Sequence, residues 1–174
     1  MELKNAIDLI RFNPRVEENQ KWADLGCGTG LFTKALANLL PKGSHIHAID
    51  ADKNAIKQIP VAYKGIHIES SVGDFTDEAF QFDEMDGIMM ANSLHYVKDK
   101  ENFLKRMINS LSVAGYFLLI EYDLEKPNRW VPYPIAIAPA RELFFQYGAK
   151  SFEVLNERRS LFGDQQMYAA LITR

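Results

Sequence analysis

Seven residues near the N-terminus, Asp24-Leu25-Gly26-Cys27-Gly28-Thr29-Gly30, hold the densest chemistry in this chain. Alternating glycines permit positive φ and let a ligand reach the backbone without meeting a Cβ. A turn that merely reverses the chain is the other reading, and three alternating glycines behind an acidic strand end disfavour it. A dinucleotide fingerprint needs Gly-x-Gly-x-x-Gly, whereas here the third glycine comes one residue early and Leu31 takes its place. Asp24 is a poor neighbour for a pyrophosphate and a good one for a cation. Asp50, 20 residues after Gly30 and followed by Ala51, can accept from both hydroxyls of a ribose. It can equally cap a helix, a task Asp52 is placed to take instead. Cys27 is the single cysteine and reads as a small filler rather than a nucleophile. His45, His47 and His67 fall on expected strands without the clustered spacing of metal ligands and read as packing or surface residues, so no metal is expected.

These residues must be held by strands and turns. Lys21 to Leu25 reads as a strand, Gly26 to Gly30 as a turn, and Leu31 to Leu40 as a helix stopped by Pro41-Lys42-Gly43. His45 to Ile49 is a second strand, and a helix capped by Asp52 runs to about Ile59. Ile66 to Glu69 is a third, weaker strand. Met85 to Ala91 is almost wholly apolar, as a strand buried on both faces should be. Phe103, Leu104, Met107, Ile108 and Leu111 mark one face of a helix over Asp99 to Leu111. Tyr116 to Tyr122 is the fifth strand. Pro127, Pro132, Pro134 and Pro139 make the next stretch irregular, before a helix from about Pro139 to Tyr147 with Gly148 past its end. Ser151 to Leu161 and Met167 to Thr173 pair antiparallel across Phe162-Gly163-Asp164.

The expected fold class is therefore α/β: a three-layer Rossmann-like sheet, mostly parallel, with a C-terminal antiparallel hairpin. Ligands in such sheets lie at the carboxyl ends of the strands. At 174 residues, 47% hydrophobic and 25% charged, the chain has the composition of one globular domain. Expected divisions are 1–19 as an N-terminal helix or lid, 20–122 as a cofactor-binding core, and 123–174 as substrate loop, helix and hairpin. One cysteine, no spanning apolar run and no signal-like start point to a cytoplasmic protein without a membrane partner. A net charge of −3 without a basic patch argues against nucleic acid.

In this order the motifs resemble the class I S-adenosylmethionine-dependent methyltransferases. The resemblance rests on the Asp24-to-Gly30 loop, Ile49-Asp50, Gly73-Asp74-Phe75, the strand Asp86 to Ala91 with Asn92-Ser93-Leu94-His95, and the terminal hairpin. It implies that S-adenosylmethionine is the cofactor and S-adenosylhomocysteine the product. It implies that Asp24 neighbours the methionine part, with Gly26, Cys27, Gly28 and Gly30 beneath the cofactor. Asp50 and Ala51 would lie at the ribose, Asp74 and Phe75 at the adenine, and Asn92 and Ser93 at the fourth strand end. By its own residues, Val72-Gly73-Asp74 is also good turn chemistry.

Methyl transfer asks a protein mainly to align an acceptor and exclude water. A base is needed only where the acceptor loses a proton. His95 and Glu121 are the candidates for it, with Tyr96 beside them; a purely structural role is the other reading of both. The chain lacks the Asn/Asp-Pro-Pro-Tyr/Phe sequence of amino-group methylation and a Pro-Cys nucleophile, so a small-molecule acceptor is expected. Tyr96, Arg129, Trp130 and Tyr133 are its candidate contacts, Arg129 for a carboxylate or phosphate and the rings for an apolar or planar group. Packing of the loop onto the following helix explains the same aromatics equally well. Two rival readings are a binding domain without catalysis and a nicotinamide-dependent oxidoreductase. Oligomeric state is not legible.

Overall fold

The computed structural model describes residues 1–14, 19–78, 80–82, 84–159 and 165–174. Eight strands form one sheet: β1 Lys21–Leu25, β2 His45–Asp50, β3 Ala62–Tyr63, β4 Ile66–Val72, β5 Met85–Ala91, β6 Leu111–Tyr122, β7 Ser151–Arg159 and β8 Gln166–Thr173. Their spatial order is β3-β4-β2-β1-β5-β6-β8-β7. The pairs β2–β4, β1–β2, β1–β5 and β5–β6 are parallel, and β3–β4, β6–β8 and β7–β8 are antiparallel. The expected mixed sheet with an antiparallel C-terminal pair is therefore the observed one. After β4 the chain crosses to the far side of β1, so strand order reverses between β1 and β5, where ligands gather in such sheets.

Helices cover both faces. Helix α1 (Leu3–Leu9) and α2 (Leu31–Ala37) bury Ala6, Leu9, Phe32 and Leu36 on one side, with Trp22, Ile46 and Leu118 of the sheet. On the other, α4 (Lys100–Asn109) and α5 (Ile137–Gln146) bury Phe103, Leu104, Ala140 and Phe144 against Ile88, Phe117 and Ile172. Gly87 has no side chain because the Trp22 ring fills the space: a Cβ there would lie 2.4 Å from it. Among the described residues no helix is long and apolar enough to cross a membrane.

Several boundaries differ from expectation. Helix α2 ends three residues before Leu40, and α3 is a single turn, Lys53–Ile56, capped as expected by Asp52. The weak third strand runs on to Val72, because His67 to Val72 pair with β2, and it gains the short neighbour β3. Leu111 belongs to β6 rather than to α4, since it pairs with Met85 across a register shift. Helix α5 starts two residues early because the distant Asp123 carboxylate accepts from the Ile137 N–H at 3.0 Å. Pro139 then falls in its first turn, where an N–H has no helical partner. The expected link Phe162-Gly163-Asp164 lies outside the described residues.

Candidate functional site

Three loops meet where the strand order reverses. In the first, Gly26 and Cys27 both donate to the Ile49 carbonyl (2.8 and 3.0 Å), tying the glycine turn to the end of β2. Gly26, at φ +78°, passes over Ser93 and Phe75; a Cβ on it would stand 2.5 Å from Ser93 Cβ and 3.2 Å from the Phe75 ring. A Cβ on Gly28, at φ +52°, would meet nothing within 4 Å among the described residues. One glycine makes room for the protein, and the other borders open space. Gly26→Ala is therefore expected to lower the melting temperature sharply. Gly28→Ala should cost only about 1 kcal/mol of backbone strain yet cut cofactor affinity at least about tenfold, as calorimetry and a thermal melt on each variant would show.

Asp24 lies beneath this turn, wholly buried. Its Oδ2 accepts from Thr33 Oγ1 at 2.6 Å, while Oδ1 is buried without a partner among the described residues. Burial pushes its pKa up to about 7; the Thr33 bond pulls the other way and Asp50 adds repulsion. An orphaned buried carboxylate oxygen invites a cationic donor, and the ammonium of a methionine moiety is one. The open face of Gly28 lies on the same turn. These residues fit S-adenosylmethionine.

Other expected contacts are already occupied by the protein. Asp50 accepts from the Gly28 N–H (2.7 Å) and the Asp52 N–H (2.8 Å), one on each carboxylate oxygen. It therefore fixes the loop as well as offering the lone pairs left to a diol. Ala51 is exposed beside it. Asp74 is exposed, and its Oδ1 holds the Thr76 N–H and hydroxyl at 2.9 and 2.7 Å, the turn its sequence allows, leaving Oδ2. Two more of the expected residues pack within the protein. Phe75 is a core residue packed under Gly26 and against Phe103, because the absent Gly26 Cβ opens a slot that the ring fills. Ser93 is buried and spends its hydroxyl on the Leu25 carbonyl at 2.5 Å, locking β5 to β1. Cys27 is buried too, and burial, then Asp24 and Asp50, push its thiol far above the usual range. It is a filler.

At the end of β5, Asn92 takes a left-handed φ of 55°, and its Oδ1 is buried without a partner among the described residues. The short 3-10 turn Leu94–Tyr96 follows. His95 there is 2% exposed and Glu121, near the end of β6, 1%. The His95 Nδ1 lies 2.7 Å from Glu121 Oε2, and the His95 backbone N–H donates to Oε1 at 3.0 Å. This double grip fixes the ring and assigns the Nδ1 proton to the carboxylate side, leaving Nε2 as the basic nitrogen. The Tyr133 N–H donates to the His95 carbonyl, pinning the following loop to this turn.

A cavity of about 480 Å³ opens here, lined by Asn92, His95, Tyr96, Tyr122, Asn128, Trp130, Val131 and Gln165. Tyr96 and Trp130 stand on its wall, 57% and 73% exposed. Arg129 and Tyr133 are not on its wall: the guanidinium stacks on the Trp130 ring at 5.3 Å and Tyr133 receives the Lys100 ammonium at 5.6 Å. The Lys100 pKa falls to about 8 through burial, although Glu121 opposes the fall. Tyr122, Asn128, Val131 and Gln165 were missed. Tyr122 ends a strand read from the sequence and directly follows Glu121, a signal that could have found it. Gln165 becomes a neighbour only through the fold.

A family model described as "Methyltransferase domain" matches residues 23–115, just over half of the chain. The malonyl-[acyl-carrier protein] O-methyltransferase of Bacillus anthracis is 31% identical over 104 residues, covering 59% of this chain. The match takes in only 37% of that protein's length. Among solved structures, the YcgJ protein from Bacillus subtilis superposes with a TM-score of 0.73 at 12% identity, covering 99% of this chain and 97% of its own. A S-adenosylmethionine-dependent methyltransferase from Thermotoga maritima, described as a possible histamine N-methyltransferase, gives 0.70 at 16%, covering 98% and 88%. Likenesses at this identity speak for the fold alone.

Proposed function

We propose that this chain, which belongs to the methyltransferase-domain family of class I S-adenosylmethionine-dependent enzymes, methylates a small molecule seated in the cavity beside His95. The observation that carries this reading is the buried His95–Glu121 pair on the wall of a ligand-sized cavity, next to a glycine turn with an unpaired buried carboxylate oxygen. The cofactor, when bound, supplies a methyl group already activated on a sulfonium.

The chain's own residues do the rest. Asp24 holds the ammonium end, and the backbone at Gly28 lies under the cofactor. Asp50 and Asp74 offer their remaining lone pairs to the ribose and the adenine amino group. Glu121 fixes the His95 tautomer, so that Nε2 accepts the acceptor's proton as its oxygen attacks; the carboxylate then stabilises the imidazolium. Tyr96, Tyr122 and Trp130 wall the acceptor and keep water out. Residues 20–122 serve as the cofactor half and 123–174 as the acceptor half, with the N-terminal helix Leu3–Leu9 packed at the flank. An oxygen acceptor is supported by the Bacillus anthracis relative, whose name specifies O-methylation.

Transfer of labelled methyl from S-adenosylmethionine to a panel of small hydroxy and carboxylic compounds tests the reading; no transfer to any small acceptor, with transfer to protein or nucleic acid instead, would overturn it. Once an acceptor is found, Trp130→Ala should raise its KM severalfold while S-adenosylhomocysteine affinity stays nearly unchanged. Equal losses in both would make the loop a cofactor cover.

A further inference from the structure

The three histidines that the sequence left as packing or surface residues converge in the fold. Side chains alternate along a strand, so His45 and His47 of β2 share the face of Ile49, opposite to that of Asp50. β4 runs beside β2 in a register that sets His67 opposite His45 and Glu69 opposite His47. Between β4 and β5 the described chain forms no helix, and Phe80 and Phe82 border the cavity over this face.

The geometry is that of a ligand set. His47 Nδ1 lies 3.3 Å and His45 Nε2 3.6 Å from Glu69 Oε2, and the ligand atoms of the three residues all fall within 4.8 Å of one another. Ligands about 2.0–2.1 Å from a tetrahedral zinc ion stand about 3.3–3.4 Å apart; the two contacts are close to such edges already. The His45 and His47 rings stack at 4.4 Å, and His67 Nδ1 lies 3.1 Å from His45 Nε2. A cavity of about 450 Å³ opens over the group, with Glu84 and Lys21 on its wall. Lys21 repels a cation, which Glu69 and Glu84 offset.

We propose that His45, His47 and Glu69 bind a divalent transition-metal ion, Zn²⁺ above all, clipping β2 to β4. His45 gives up His67 for the ion, and a water molecule completes four-coordination. Imidazole and carboxylate suit Zn²⁺ and Co²⁺ better than Mg²⁺ or Ca²⁺, which seek oxygen ligands. The site lies on the sheet face away from Asp50 and does not depend on the methyltransferase reading.

Metal-stripped full-length protein, titrated with Zn²⁺ by calorimetry and with Co²⁺ by visible absorption, tests it. The expected result is saturation at about one equivalent, with the intense bands of four-coordinate Co²⁺. Glu69→Gln, at an exposed position that should leave folding intact, and His47→Gln should each weaken binding at least about tenfold. Far-ultraviolet circular dichroism and S-adenosylhomocysteine affinity report whether each variant is folded. No binding by the wild-type protein, or binding that survives both substitutions, would overturn the proposal.

Discussion

Asp24→Asn is expected to leave the free protein as stable as the wild type or more so at pH 8, while weakening S-adenosylmethionine binding by about 30-fold to several thousand-fold. The range follows from the roughly 2–5 kcal/mol lost when one partner of a buried charge pair is removed. The stability half of the prediction follows from burial. In the folded chain Asp24 titrates near 7 instead of 3.8, because its carboxylate is desolvated and one oxygen has no donor. Below about pH 4 it is protonated in both states and costs nothing. As pH rises from there to 7 the unfolded chain releases this proton first, so folding stability falls by up to about 1.4 kcal/mol per pH unit. Above pH 7 the loss is complete, at roughly 4 kcal/mol. The difference in melting temperature between Asp24→Asn and wild type should therefore widen from pH 4 to 7 and then level. A ligand ammonium on Oδ1 would recover that loss, so the wild type should gain more from the cofactor than the variant does. Unchanged affinity in Asp24→Asn would remove Asp24 from the cofactor site.

His95→Ala should cut turnover about 10²–10⁴-fold, the usual contribution of a general base, with S-adenosylhomocysteine affinity close to that of the wild type. The single variant leaves Glu121 buried without its imidazole, which costs about 3–5 kcal/mol of stability. The double variant His95→Ala/Glu121→Gln removes the stranded charge and should be better folded yet no more active. A small loss in turnover in His95→Ala would make the pair a structural tie between β5 and β6.

The sheet and the glycine turn were legible because they depend on local residue types. Apolar runs such as Met85 to Ala91 can satisfy their neighbours only as buried strands, and the positive φ of Gly26, Gly28 and Gly30 needs residues without a Cβ. Partnership was not legible. Asp50, Ser93 and Phe75 have the right types for cofactor contacts, yet a sequence does not say that the Gly28 N–H, the Leu25 carbonyl and the slot under Gly26 already claim them. The His95–Glu121 pair joins two strand ends 26 residues apart, so each residue was a candidate alone and their bond was invisible. The same holds for Glu69, which reaches His47 only because β4 pairs with β2 in one register and not the next. The early start of α5 depends on Asp123, 14 residues before it. Long-range pairing, not propensity, made each of these differences.

Calorimetry of the full-length protein with S-adenosylmethionine, S-adenosylhomocysteine and NAD tests the central claim most directly. Both sulfur nucleosides should bind at about one equivalent, and NAD should give no heat, because the glycine turn lacks the third dinucleotide glycine and sets the buried Asp24 carboxylate where a pyrophosphate would be repelled. Binding of NAD with no response to either sulfur nucleoside would contradict the account.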